Sequence, residues 1–568
     1  MSRALNNSFT FPRTKTPLRP LLRMTKAFSF SLGTVLKILA WLAAVLLLAA
    51  GAAMRLDVLP AVPLIEWDTR GWLEPALRWA GGGEFRENAE REWLYAAFLA
   101  GCLKCFGSFS SVVWVQWGAG LAGGAMLFLT WQTWTSLLPR RLPIQIVATA
   151  AGLFVLAAYV LNPNLVAFEM SLRPEALLGV VVIAVYLCAT NFVKFRWFAP
   201  DNRLVLAWGV PIPALAIAVG ILKPSWALAL PWMMLPLLIS IPGSRSGMGP
   251  RALPLALGAV LAFALLILPE KMFFKKGPEA RVVLPMTLLT IHADAVISSS
   301  RRLLSDPSLS EERRAVLEQA LPVLESDFAK SKEVPLYYKK LGFDPDYIMY
   351  RARIFPYLES QHGFSKAGLA AFCNQAYRDA WRHAPGMMLS KVFSQLGYIA
   401  FPDARTYTKR EVKLQPLIRH SNEISAAELD DSFGSRIREI YAVHRVRSIE
   451  AENPEREIRG SKKLDRWLKS SVPPALPVAI LALGLAALVF VIPFLAPLRC
   501  AALLCLLYFA IPAGNALTIA LVHALDNDRY RMSYGMILLF AIISTLVLAL
   551  SAAWETGFYF WRKRYDIA

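Results

Sequence analysis

The sequence predicts an α-helical polytopic membrane protein with about ten spans and one α-rich domain inserted between the seventh and the eighth. Three observations predict it. Of the 568 residues, 56% are hydrophobic and only 18% are charged, a balance foreign to a soluble domain of this size. The apolar residues come in unbroken runs of about 20 rather than in alternation. Such runs match a ~30 Å hydrocarbon core at ~1.5 Å rise per residue, and they exclude a barrel. Lys and Arg gather in alternate loops between the runs, as they do at cytoplasmic helix ends.

The elements follow in order. Residues 1–30 are a basic tail with Arg3, Arg13, Lys15, Arg19, Arg23 and Lys26 and no acid. The run at 32–54 is too long and too poorly terminated for a cleaved signal peptide, so it reads as a first span with a cytoplasmic N-terminus. Further spans are expected at 111–134, 143–161, 176–194, 204–222, 226–242, 252–269, 475–496, 500–522 and 533–553. Alternation then places Arg140-Arg141, Lys194/Arg196/Arg203, Arg245/Arg251, Arg499 and the C-terminal Arg562/Lys563/Arg564 inside. This divides the chain into a transmembrane module at 31–269 with a first outer loop at 55–110, an extracytoplasmic domain at 270–474, C-terminal helices at 475–553 and a basic tail at 554–568. Both termini are expected on the cytoplasmic side of a bacterial inner membrane. Parity requires the apolar stretch 93–107 to lie along the surface rather than cross.

The formal charge of +20 is accounted for by these helix ends, so no nucleic-acid partner is expected. Six cysteines are scattered, and the Cys102/Cys105 pair has no second CxxC to complete a zinc site, which leaves packing as its role. The insertion has a near-balanced charge and helix-like stretches at 308–330 and 366–400. Ser308-Leu309-Ser310-Glu311 reads as a helix start.

This topology sorts the ionisable residues. Asp57, Glu66, Asp68, Arg91, Glu169, Arg173, Glu175, Lys223, His292, Asp294, Asp526, Asp528, Arg529 and Arg531 come from separate loops and fall near span ends on the outer face. Charge there is costly and usually faces a cavity or a partner. Carboxylates suit a base or a metal ligand, and guanidinium and ammonium groups suit a phosphate. The set therefore fits chemistry on an anionic, lipid-linked substrate.

The string WDTRGWLEPAL (67–77), a glycine-rich turn and REWLYAAFLAGCLKCFG (91–107) resemble the first outer loop of GT-C superfamily glycosyltransferases, which include protein O-mannosyltransferases and bacterial aminoarabinose transferases. Ala96 stands where that pattern often has proline. NPNLVAFEMSLRPEALLGVVVIAVYL (162–187), GILKPSWALALP (220–231, with Lys223 in place of an Arg) and HALDNDRYRMSYGMILLF (523–540) resemble later elements in the same order, and AYRDAWRHAPGMMLSKV (376–392) resembles the insertion loosely. The resemblance implies a GT-C-like fold. It also implies inverting transfer of a sugar from a polyprenyl-phosphate donor to a glycan, lipid or protein acceptor at the outer face, among membrane lipids.

Each candidate has a rival reading. Asp68 is the expected catalytic base, against a role as cap of the helix beginning at Thr69. Asp57 is the second candidate base, against a surface pair with Arg55. Arg91 is expected to orient the loop or touch donor phosphate, against pairing with Glu87 or Glu90. Glu169 and Glu175 are expected at a substrate head group or metal, and Arg173 at phosphate, while the Glu169/Arg173 spacing allows a simple helical ion pair. Lys223, Arg529 and Arg531 are expected at donor phosphate, against snorkelling for Lys223 and salt bridges to Asp526 and Asp528 for the arginines. His292 and Asp294 have a spacing that suits a divalent cation, yet no complete ligand set is visible. Lys462, Lys463, Arg466 and Lys469 would meet anionic lipid heads or form a solvated helix face. An O-antigen ligase or polymerase-like enzyme also uses lipid-linked sugars and often keeps a large late outer loop, but the first-loop Asp element argues for the first reading. A transporter would show internal repeats, and none is apparent.

Overall fold

A computed structural model describes residues 19–88, 91–239, 249–276, 282–335, 338–400, 411–425, 434–452, 457–459, 475–525 and 528–564. The chain is a multi-pass helical membrane protein. Among the described residues eight helices are long and apolar enough to cross a bilayer: Leu32–Leu56, Phe109–Thr135, Leu142–Val160, Glu175–Phe198, Asn202–Leu222, Ala252–Phe273, Pro493–Val522 and Tyr534–Arg564. Each matches an expected run. The other two runs form shorter apolar helices, Pro224–Leu238 and Ala475–Val491. Trp93–Phe106 has 14 residues, about 21 Å of helix, which is short of a ~30 Å core.

Local chemistry sets the helix ends. Ser108 accepts a hydrogen bond from the Ser110 amide, and Asn162 accepts one from Asn164. Asp201 accepts from both Arg203 and Leu204. These caps satisfy amides that have no helical partner. Between the spans, polar groups find partners too. The Trp131 indole donates to the Ala148 carbonyl at 2.7 Å, and the Tyr186 hydroxyl donates to the Tyr508 carbonyl at 2.9 Å. Such bonds matter where no water is available to replace them.

The bundle core is built around the helix Phe109–Thr135, which packs along Glu175–Val193 and Leu142–Val160. The segment 270–474 has its own helical core, including Leu289, Val296, Leu324, Ile348, Phe355 and Cys373. Its first two helices, Val283–Ile291 and Ala293–Leu304, meet at 83° with His292 at the bend. They pack on Lys366–His383, which places them with the insertion rather than with the bundle. Buried Asp327 accepts hydrogen bonds from the Arg353 and Ile354 amides, each at 2.9 Å, and so holds the start of the helix Ile354–His362. The expected helix start at Ser308 moves: Ser310 is the cap of Glu311–Ser331, and Ser308 instead bonds Asp306. The expected helix at 366–400 breaks at Ala384, because Pro385 disfavours a helical residue before it.

A two-stranded antiparallel sheet, Glu411–Lys413 with Glu457–Arg459, was not expected from the sequence. It pins the insertion to the bundle. Val412, Ile418 and Ile458 share a buried cluster with Met54, Leu64 and Trp117. The Ile65 amide also donates to Ser421 Oγ at 2.8 Å. The insertion thereby holds the loop that carries Asp68.

Candidate functional site

The site starts from backbone. The Leu64 amide donates to the Met170 carbonyl at 2.8 Å, and the Leu172 amide donates to the Leu64 carbonyl at 2.9 Å. This short parallel bridge lays the first long loop against the 162–174 turn. Directly after it the chain makes a tight turn, Trp67–Thr69. Thr69 closes that turn with its hydroxyl, which accepts from the Glu66 amide at 2.9 Å. Asp68 is therefore not the cap of the following helix, and its carboxylate is available for side-chain partners.

Those partners are arginines. Asp68 Oδ1 accepts from Arg91 at 2.9 Å, and Oδ2 accepts from Arg173 at 3.3 Å. Arg173 also pairs with Glu66 at 2.7 Å, with its own side chain only 6% exposed. Arg91 lies over the Trp72 ring at 4.8 Å, a favourable place for a guanidinium. Gly71 makes room for it: a Cβ there would sit 2.4 Å from Arg91 Cγ. Asp68 and Arg91 remain about one-third exposed, so the pair opens to solvent.

The expected helical ion pair of Glu169 with Arg173 does not form. The helix Pro163–Met170 stops before Arg173, so the i, i+4 relation never places them on one face. Glu169 turns inward and takes Arg55 in a two-point ion pair, with both contacts at 2.7 Å. Both side chains are buried. Arg55 therefore does not pair with Asp57 on the surface, and Asp57 is exposed at the helix end. Gln116 supports this turn by donating to the carbonyls of Glu169 and Ser171 at 2.6 and 3.2 Å, while accepting from Tyr95 at 2.8 Å.

Lys223 pairs with Glu175 at 2.6 Å and faces the Tyr530 ring at 5.3 Å. Tyr530 lies tilted against His523 at 4.9 Å, and His523 in turn neighbours Tyr338 of the insertion. Tyr350, also of the insertion, keeps 71% of its surface accessible. Surrounding protein nevertheless pushes its phenol up, and Asp346 and Asp68 push the same way. Tyr350 is thus near enough to feel the charges of Asp68 and Arg91. No local sequence signal marks Tyr350, because its place near Asp68 is set by a different core. Beside the turn lies a small cavity of about 50 Å³, lined by Glu169 and Glu175 and otherwise mainly apolar, with Tyr159, Phe168, Ile183 and Met536 among its walls.

His292 belongs elsewhere. It is buried, its Nε2 bonds the Leu521 carbonyl at 2.9 Å, and burial with Lys391 nearby lowers its pKa to about 3. Its role is to join the insertion to a span end. Asp294 is half-buried and accepts from the Ala295 amide. Among the described residues no three His, Cys, Asp or Glu side chains are grouped to hold a metal ion. Arg529 and Arg531 fall on the helix Asp528–Arg564, but their side chains lie outside the described residues, as do Asp526 and the Lys462/Lys463/Arg466/Lys469 cluster.

No family model matches the chain, and no curated protein matches it. Among solved structures it matches the crystal structure of ArnT from Cupriavidus metallidurans bound to undecaprenyl phosphate. The identity is 13% and the TM-score 0.30, over 84% of this chain and 77% of that one. A likeness of that degree says nothing about this chain's activity.

Proposed function

We propose that this protein is an inverting glycosyltransferase of the GT-C type. It moves a sugar from a polyprenyl-phosphate carrier to a glycan, lipid or protein acceptor at the outer face of a bacterial inner membrane. The observation that carries this reading is the Asp68 carboxylate held between Arg91 and Arg173 where it is still partly open to solvent. The motifs around these residues are the ones that resemble the superfamily.

The chemistry follows from charge. When a donor enters, its phosphate competes with Asp68 for the two guanidiniums, which bind phosphate well. That competition loosens Asp68 to accept a proton. The acceptor hydroxyl attacks the anomeric carbon from the face opposite the phosphate, and its proton passes to Asp68. The carbon–oxygen bond to the phosphate breaks, the electron pair stays on the phosphate, and the arginines stabilise the added charge. Lys223 stands by as a further cation once Glu175 releases it. The apolar cavity beside Glu169 and Glu175 is suited to the first isoprene units of the carrier.

The test is mass spectrometry of lipid-linked sugars and envelope glycans in a deletion strain complemented with wild type or with Asp68→Asn. A polyprenyl-phosphate sugar should accumulate in the deletion and in the Asn strain, and should fall with wild type. Unchanged pools in the deletion strain would overturn the proposal.

A further inference from the structure

The far end of the bundle carries a second polar cavity with no part in the proposed transfer. Arg55 and Lys37 stand at opposite ends of the helix Leu32–Leu56, about 27 Å apart at ~1.5 Å per residue. Around Lys37 lies a cavity of about 270 Å³, between the helices Leu32–Leu56, Phe109–Thr135 and Leu142–Val160. Two cations, Lys37 and Arg140, line it, together with the amides of Gln132 and Gln145. Among the described residues no carboxylate lines it.

The neighbouring basic residue behaves differently. Arg141 is matched by Glu555 at 2.8 Å and covers the Phe558 ring. Among the described residues Lys37 and Arg140 have no such acid, and the side chains of Gln132 and Gln145 have no hydrogen-bond partner. Lys194 lies close enough to Lys37 to repel it. Gathered positive charge with idle amides and no carboxylate is complementary to an anion.

The walls say what kind of anion. The upper part of the cavity is apolar, with Trp41, Trp131, Ile144 and Ala148. Trp131 is locked by its bond to Ala148, and Trp41 packs edge-on against Phe128. The cavity also opens beside a helix that faces lipid: Leu39, Leu42, Val45 and Leu46 are each more than half exposed. A molecule can therefore enter sideways, with a charged end at Lys37 and Arg140 and a hydrocarbon chain running past Trp41.

We infer that this cavity is a binding site for an anionic glycerophospholipid. Its phosphate sits between Lys37 and Arg140, the Gln145 amide donates to it, and one acyl chain follows the exposed row of the first span. The site is independent of the sugar-transfer reading. It would tie the first helix to its neighbours through a lipid, at the end where that helix has few protein contacts of its own.

Native mass spectrometry of the full chain, titrated in detergent with phosphatidylglycerol or phosphatidylcholine, tests it. Phosphatidylglycerol should be retained in preference to phosphatidylcholine. The double variant K37Q/R140Q should weaken that retention roughly tenfold or more. The charge-conserving K37R/R140K should keep it. K563Q/R564Q, which removes the same charge from the same end of the bundle, should also keep it. Equal retention of the two lipids overturns the site. So does an equal loss in K563Q/R564Q, which would mean surface charge alone. Displacement of the lipid by millimolar inorganic phosphate overturns the lipid assignment in favour of a free-anion site. If K37Q/R140Q fails to fold, the single variants K37Q and R140Q are measured instead, and each must weaken retention.

Discussion

Arg55 and Glu169 are 114 residues apart and form a buried two-point ion pair, with both nitrogen–oxygen distances 2.7 Å. Arg55 also donates to the carbonyls of Gly51 and Val160, so its guanidinium is well satisfied. The pair fixes the end of the first span to the turn that delivers Arg173 to Asp68. Removing one partner leaves a buried charge alone, at a cost of about 3–5 kcal/mol. Glu169→Gln should lower the unfolding temperature in detergent and reduce transfer, and Arg55→Met with Glu169→Leu together should recover part of the stability. Additive losses in the double variant would refute the pairing.

Gly120 makes that pair possible. A Cβ at this position would stand 2.0 Å from Glu169 Oε1. Gly120→Ala must displace the carboxylate, so it should mimic Glu169→Gln in thermal stability. Gly118→Ala, where a Cβ meets nothing within 4 Å, is the control.

Asp68→Asn keeps the shape of the side chain and removes both the charge and the proton acceptor. Turnover should fall by at least ~10²-fold, the usual size of a general-base contribution, while the fold persists because Asp68 is partly exposed. Arg173→Ala should also cut turnover, and it should be less stable, since it strands Glu66 and Asp68 together. Wild-type turnover in Asp68→Asn would remove Asp68 from the mechanism.

Lys391 of the insertion donates to the carbonyls of Ala520 and His523 at 2.6 and 2.5 Å, and so caps the end of the helix Arg499–Val522. Lys391→Met should cost about 1–3 kcal/mol. It should raise amide hydrogen exchange around 520–525 more than in the core of the insertion. Uniform exchange would mean that the contact does not couple the two parts.

Stability should fall with acid, and the sign can be worked out. Burial lowers His292 to about 3, with Lys391 adding to it, and lowers His444 to about 4. The unfolded chain protonates its histidines near ~6.5. As pH drops below that value the unfolded state binds protons that the folded state refuses, so stability is lost from about pH 6.5 down toward pH 4. Each histidine contributes a slope of up to about 1.4 kcal/mol per pH unit. The double variant His292→Gln with His444→Phe should show a flatter unfolding temperature over that window than wild type.

Much of the fold is legible in the chain because hydrocarbon imposes one simple demand. Every backbone group must be bonded internally, so long apolar runs must be helices. That reasoning finds the eight long helices among the described residues and the short apolar helix Trp93–Phe106. It also finds the loops that hold Asp68, Arg91, Arg173 and Lys223. It does not find the strands at 411–413 and 457–459, each three residues long and paired across more than 40 positions. Nor does it find Tyr350, whose place depends on how one core packs over another.

The sequence by itself determined the medium, the helices and the kinds of charge near their ends, because hydrophobicity and length act locally. Only the tertiary structure decided which charge meets which. Spacing suggested Glu169 with Arg173 and Arg55 with Asp57. The structure pairs Glu169 with Arg55 and Arg173 with Asp68. The physical reason is angular: successive helical residues are turned by about 100°, so a helix that ends one turn early sends an arginine in a different direction. Which side chain then meets Asp68 is settled by the packing of segments more than 100 positions apart.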